Sequence, residues 1–353
     1  MASDLKVPEK QAVPFRKYDS IENSYREKFI EAVVESAPED EEWVAMEKID
    51  GCNLSNIMIG TVHVDGSISI SSTRASRNMT LGNDGFHNSR EIIEEWGPAL
   101  LKLVGMIDRP NNESVQIYGE LYGGGYQGAK PRRKNSKKVM TAVQYSPDNE
   151  YRIFDILVGT GEDLLSADRV VELCRDSGIP YCPLEHRGKL SDLLKLNPVF
   201  QSTIPALHGL PPIQGNNAEG WVLKPVHARF IGEGCHRHRV IIKLKNPAFL
   251  EESKPQEKPK THNTPAAVSK NAAAIEQAML CINRNRLNSV RSKQPDWETG
   301  KLIVAMINDI LEDVGKVHVL DRHSITAVNN AVRKEVALLV KGALTAESQV
   351  ADA

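Results

Sequence analysis

The chain has 353 residues, of which 41% are hydrophobic and 25% charged, and its formal net charge is −2. This composition suits globular domains, two or three of them, with cores large enough to need no disulfide or structural metal. No run approaches the roughly 18 apolar residues of a membrane span, and the amino terminus lacks a secretory signal's apolar stretch, so a soluble intracellular protein is expected, with an organellar location left open.

From about Glu41 to Asn246, short β-type runs alternate with turn signals. Trp43–Met46, Asn56–Ile59 and Ser67–Ser71 read as strands, the last by its period-two alternation. Val115–Tyr118, Tyr151–Leu157, Gly220–Leu223 and Val240–Leu244 continue the series. Between them, Ile92, Ile93, Trp96, Leu100, Leu103, Val104 and Ile107 keep helical spacing over Arg90–Ile107. Ser166–Ser177 does the same, with Ser166 as N-cap. Strand pairs with intervening helices predict an α+β fold rather than a doubly wound parallel sheet. Composition shifts at Glu251: residues 251–270 hold prolines, Lys and Glu but almost no large apolar residue, which reads as a linker. Three helical stripes follow, one through Ile275 and Val290, one from Leu302 to Val314 and one from Val328 to Val340, with a polar frayed tail after Leu344. The expected division is therefore 1–250, a linker at 251–270, and a small all-α domain at 271–353.

The five cysteines form no Cys-x-x-Cys pair, as expected of free thiols in a reducing compartment. Cys235-His236-Arg237-His238 has ligand-like residues but no second half for a zinc site, and reads better as a polar loop. Lys130 to Lys138 places six basic residues in nine positions, either a phosphate-tracking surface or a solvated loop. Arg284, Arg286, Arg291 and Lys293 pose the same choice in the helical domain.

The strongest chemical signal is Glu47-Lys48-Ile49-Asp50-Gly51-Cys52-Asn53, directly after a predicted strand. A lysine acts as a covalent nucleophile only when its amine is partly neutral, which requires burial or neighbouring positive charge. Gly51 permits the tight turn that would present the amine at a strand end. Four more segments follow in order. Tyr118-Gly119-Glu120-Leu121 supplies a carboxylate, and Phe154-Asp155 an aromatic face for a purine. Glu219-Gly220-Trp221-Val222-Leu223-Lys224-Pro225 adds a carboxylate and a lysine. Lys243-Leu244-Lys245-Asn246 puts two lysines on one face of a strand. Cations that neutralise a triphosphate and carboxylates that hold a divalent metal or a ribose are what adenylyl transfer requires.

This ordered set resembles the covalent nucleotidyltransferase superfamily of ATP-dependent ligases and mRNA capping enzymes. Within it, the chain is similar to the RNA ligase 2 family of phage nick-sealing and kinetoplastid RNA-editing ligases. Motif I matches Lys48-Ile49-Asp50-Gly51, and Asn53 fits this family where DNA ligases and capping enzymes usually carry arginine. Motif III matches Gly119-Glu120, motif IIIa Phe154-Asp155, motif IV Glu219 to Pro225, and motif V Lys243 to Asn246. Phe15 to Asn23 resembles the family's opening segment, whereas Gly125 to Glu150 is longer and more basic than in the phage enzyme.

The resemblance implies a nucleotidyltransferase domain of antiparallel sheets with flanking helices, and an ATP-dependent RNA ligase using Mg²⁺ or Mn²⁺. Lys48 would become the lysyl-AMP adduct, and Asn53 would lie near the α-phosphate. Arg74 would touch ribose or the RNA end, Glu120 would take the ribose, and Phe154 would stack on adenine. Glu47 would meet the adenine edge, and Glu219 would serve metal and catalysis. Lys224, Lys243 and Lys245 would contact phosphates, the last two also favouring a neutral Lys48. The partner would be nicked duplex RNA, with the helical domain reading A-form shape. A DNA ligase or a GTP-using capping enzyme is the nearest rival; a catalytically silent nucleic-acid-binding module is the rival from another class.

Overall fold

β-Branched and aromatic residues at alternating positions build strands that bury one face, and the fold follows from which face each strand buries. The computed structural model describes residues 14–62, 68–82, 86–233, 237–250, 271–293 and 297–351. In chain order come β1 (Glu22–Asn23), α1 (Glu27–Glu35), β2 (Trp43–Glu47), β3 (Cys52–Val62), β4 (Ile68–Ser76), α2 (Ser89–Glu95) and α3 (Gly97–Gly105). Then follow β5 (Ser114–Gly123), β6 (Asn149–Val158), α4 (Ala167–Ser177), β7 (His186–Gly188), α5 (Leu190–Leu193) and α6 (Ile204–Leu207). β8 (Gly220–Pro225), β9 (Phe230–Ile231), β10 (His238–Arg239) and β11 (Ile242–Lys245) complete the strands. The helices α7 (Ala272–Leu280), α8 (Arg284–Lys293), α9 (Thr299–Gly315) and α10 (Arg322–Ala351) close the chain. Two compact units result, Met1–Leu244 and Lys245–Ala353.

One sheet has the order β1-β11-β8-β2-β7 and the other β4-β3-β5-β6, with β9 and β10 as a separate short pair. β2 pairs antiparallel with β7 and β8, β3 with β4 and β5, β5 with β6, and β9 with β10, whereas β1 runs parallel to β11. In the first sheet, Trp43, Ala45, Trp221, Leu223 and Ile242 pack with Val33 of α1 and Leu190 and Leu193 of α5. In the second, Leu54, Ile117, Leu121 and Ile153 pack with Ile92, Leu103, Val170 and Leu173 of α2, α3 and α4. Each such side chain contributes about 1.5–3 kcal/mol of apolar burial. With one face of each sheet covered by helices, the residues of opposite phase face one another across an inter-sheet cleft.

The expected α+β architecture is present, with local differences. The single helix expected over Arg90–Ile107 is two helices meeting at Trp96. Gly97-Pro98 explains this, because proline has no N–H to continue the ladder and favours a helix start. Ser166 caps α4 by accepting a hydrogen bond from the Arg169 N–H at 3.2 Å, and Gly178 closes it in the left-handed region. The last strand starts at Ile242 rather than Val240. The expected linker 251–270 lies outside the described residues.

In the second unit, the first helical stripe resolves into α7 and α8, and the tail after Leu344 is not frayed but continues as helix to Ala351. Leu287, Val290, Met306, Ile310, Val328, Val332 and Val336 form its core. Arg286, expected at the surface, is fully buried and bonds Asp309 at 2.6 Å and Asp313 at 2.7 Å.

Candidate active site

Alternation along β2 sets the position of Lys48. Trp43 and Ala45 enter the helix-side core, so Met46 and Lys48 turn to the other side, where Val44 packs with Ala167 and Val226. The Lys48 N–H donates to the Gly220 carbonyl at 2.8 Å, fixing the strand end against the start of β8. Its Nζ lies 2.5 Å from Glu219 Oε2, an ion pair in which the Glu219 side chain is 7% exposed and that of Lys48 21%. The next turn is held by the Asp50 N–H donating to Tyr145 Oη at 2.7 Å. At Gly51 a Cβ would collide with the Leu121 carbonyl oxygen and lie 2.9 Å from Glu120 Cγ. Close approach of β5, rather than backbone dihedral freedom, therefore requires glycine there.

Asn53 and Glu120 stand directly opposite on β3 and β5. Leu54 and Leu121 occupy the helix-side core, so both polar residues face the cleft. Asn53 Oδ1 is buried and has no hydrogen-bond partner among the described residues, an acceptor suited to a ligand donor. Burial pushes Glu120 up to about 8, Glu219 and Asp50 add to the rise, and Lys48 and Arg77 oppose it. The three carboxylates thus sense one another around the lysine.

Phe154 and Asp155 are neighbours in sequence, and a regular strand would send them to opposite faces. The register passes from Gly119↔Ile153 to Tyr118↔Asp155, so Phe154 is the extra residue of a β-bulge. The bulge lets both side chains meet Tyr18. The rings of Tyr18 and Phe154 lie 5.0 Å apart edge to face, and Tyr18 Oη donates to Asp155. Asp155 also pairs with Lys224 at 2.6 Å and Arg239 at 2.9 Å. Burial pushes the Asp155 carboxyl up, but Arg239 and Lys224 outweigh it and hold it below the usual carboxylate range.

Lys224, expected on phosphate, is instead buried, with its amine donating to Asp155 and to the Phe154 carbonyl at 2.8 Å. It ties the two sheets together at the bulge. Ile242 and Leu244 pack helix-side, so Lys243 and Lys245 share the opposite phase. Lys245 Nζ donates to the Phe249 carbonyl at 3.3 Å. The Glu47 carboxylate accepts from Ser202 Oγ at 2.6 Å, the Thr203 N–H at 2.8 Å and Thr203 Oγ1 at 2.9 Å. Its side chain anchors the segment before α6, which leaves the backbone as the part suited to an adenine edge.

Arg74 requires correction. It pairs with Asn56, in phase with Leu54 and Met58, and its guanidinium bonds Ser89 Oγ and the Gly82 carbonyl, both at 2.6 Å. That is the helix side of the sheet, away from Asn53 and Glu120. Arg77, three residues on, is the arginine whose charge reaches Glu120, and it donates to Ser20 Oγ at 3.3 Å. Cys235 and His236 lie outside the described residues, and among the described residues no group of three or more His, Cys, Asp or Glu could hold a metal.

The family model described as RNA ligase matches residues 41–245, more than half of the chain. The chain belongs to the RNA ligase family. It is 30% identical over 264 residues to RNA-editing ligase 2, mitochondrial, of Trypanosoma brucei brucei, covering 68% of this chain and 61% of that protein. RNA-editing ligase 1, mitochondrial, of the same organism is 26% identical over 322 residues, covering 81% and 67%. Among solved structures, Naegleria gruberi RNA ligase with PPi aligns with a TM-score of 0.38 at 17% identity, over 67% of this chain and 57% of that one. The chain thus spans about three fifths of the length of RNA-editing ligase 2.

Every motif from Lys48 to Lys245 falls inside the family match. Arg239, beside Asp155, and Tyr145, which holds the Asp50 turn, carry no motif and were not singled out from the sequence; Tyr18, the other neighbour of Asp155, lies in the opening segment Phe15 to Asn23 but was given no role there. Arg239 had one signal, a basic residue just before a predicted strand. Tyr145 had none.

Proposed function

We propose that the chain is an ATP-dependent RNA ligase that joins 3′-hydroxyl and 5′-phosphate ends at nicks in duplex RNA. The observation that carries this reading is the Lys48 amine at a strand end, 2.5 Å from Glu219 and facing the cleft that also receives Asn53, Glu120 and Phe154. In the first step Lys48 Nζ loses a proton and attacks the α-phosphate, forming an N–P bond as the bond to pyrophosphate breaks. Glu219 Oε2 is within proton-transfer distance of that amine. AMP then passes to the 5′-phosphate and frees the lysine; the 3′-hydroxyl attacks that phosphate and AMP leaves. Lys243 and Lys245, on the phase opposite the helix-side core, neutralise phosphate charge. Phe154 offers its ring to adenine, Glu120 faces the ribose, and Arg77 takes the role first expected of Arg74.

Glu219 would hold Mg²⁺ or Mn²⁺, and its setting fits: one protein carboxylate beside substrate phosphates is a common magnesium arrangement, and the crowding of Glu120 by Glu219 and Asp50 favours added positive charge. A bound divalent cation supplies charge neutralisation at the triphosphate. The helical unit adds contacts to the RNA duplex by shape.

No helix among the described residues is long and apolar enough to cross a membrane. Cys52, Cys174 and Cys182 are buried free thiols, which suits a reducing, intracellular setting.

Incubation with α-labelled ATP tests the reading. A label stable on the chain and absent in Lys48→Ala is expected; no label on the native chain sinks it, and labelling by GTP instead points to capping. Sealing of a nicked RNA duplex in preference to a nicked DNA duplex or single-stranded RNA then checks the substrate.

A further inference from the structure

The basic stretch Lys130–Lys138 divides its charges between two jobs. The arginines are anchors. Asp148, buried, accepts from the backbone N–H groups of Arg132 and Arg133, both at 2.8 Å, and from Arg132 Nε at 3.0 Å. Arg133 reaches Glu95 and donates to the Asn149 carbonyl, each at 2.5 Å. The buried Asn149 side chain accepts from the Lys137 N–H at 3.1 Å and donates to its carbonyl at 2.7 Å. Gly124, in the left-handed region, lets this turn pack closely, since a Cβ there would strike the Lys137 carbonyl.

The lysines differ. Lys130, Lys134, Lys137 and Lys138 are exposed, and among the described residues none of their amines has a carboxylate within salt-bridge distance. A merely solvated loop has no need of so many backbone anchors. A fixed loop with four unpaired lysines has the form of a surface for a phosphate backbone, which lysine meets as a point charge.

The same insertion touches the active site at two points. Tyr145 holds the Asp50 N–H, and Gln144 exchanges two hydrogen bonds with Asn216, at 2.9 and 2.7 Å, three residues before Glu219. It leaves β5 three residues after Glu120. The loop is thus anchored to α2 through Glu95 and to the ends of β5 and β6 at Gly124 and Asn149, on the sheet that carries Glu120.

We propose that Lys130, Lys134, Lys137 and Lys138 form a docking surface for the RNA backbone flanking the join. This rests on the ligase reading, and two separate readouts keep the two apart: self-labelling by ATP reports on that reading, RNA binding on this one. The full chain and a variant with all four lysines changed to serine are titrated with a nicked RNA duplex between about 50 and 200 mM salt. The slope of log affinity against log salt is expected to fall by about three, and low-salt affinity by about 10- to 100-fold, with self-labelling unchanged. The fourfold Lys→Arg variant should keep the slope. An unchanged slope in a serine variant that still labels overturns the proposal, as does a loss confined to binding of an acidic polypeptide. Should the fourfold serine variant fail to fold, the single Lys→Gln variants decide: each should lower the slope by just under one, and no change in any of them overturns it.

Discussion

In the helical unit, Arg286 is fully buried between Asp309 and Asp313 of α9, with Leu287, Val290 and Met306 in the same core. Between the sheets of the other unit, Asp155 is buried to 1% exposure between Lys224 and Arg239. The first group sets one cation against two anions, with Lys293 and Lys316 at its edge adding balancing charge. The second sets one anion against two cations, and Arg239 keeps Nε and Nη1 without partners among the described residues. Buried charge fastens helices in one place. In the other it fastens two sheets and leaves surplus positive charge beside the cleft, where an anionic nucleotide is the proposed guest.

The largest expected effect comes from removing the central partner of each group. Asp155→Ala leaves two buried cations without their anion and should cost about 3–5 kcal/mol, read from the urea midpoint. Arg286→Met should cost less, about 1–3 kcal/mol, because Lys293 and Lys316 remain beside the aspartates; Lys48 labelling should persist. Equal losses, or labelling lost in Arg286→Met, would break the contrast.

A middle-sized effect concerns Glu120. With its folded value raised to about 8 from 4.5, the folded chain binds a proton that the unfolded chain has already released. Stability therefore falls as pH rises through that window, and Glu120→Gln should flatten the fall. The labelling rate should show a break near pH 8 that vanishes in the same variant, with the rate about 3- to 10-fold lower. A break that survives assigns the titration elsewhere. The smallest effect separates the two arginines. Arg77→Ala should raise the KM for ATP by about 3- to 10-fold at unchanged stability, and Arg74→Ala should lower stability by about 1 kcal/mol with labelling intact. The reverse pattern would return Arg74 to the cleft.

What the sequence made legible was what regular geometry transmits. The strand before Lys48, the shared phase of Lys243 and Lys245, and the Ser166 cap all follow from period and residue type. What it hid depended on irregularity or on distance. Spacing alone assigns Phe154 and Asp155 to opposite faces, and only the bulge reconciles them. Arg74 and Arg77 are three apart, and their faces depend on where β4 ends, at Ser76. The tie of Lys224 to Asp155 spans two sheets, and no local pattern encodes it. Gly97-Pro98 was a readable helix break that apolar periodicity masked.

The parallel ladder of β1 and β11 joins Glu22 to Ile242, and Tyr18 reaches Asp155 from the same opening segment. Contacts of such sequence separation are slow to form, because loop closure must precede any gain from pairing. A ribosome making this chain would have translated nearly the whole of the first unit before Glu22 could meet Ile242.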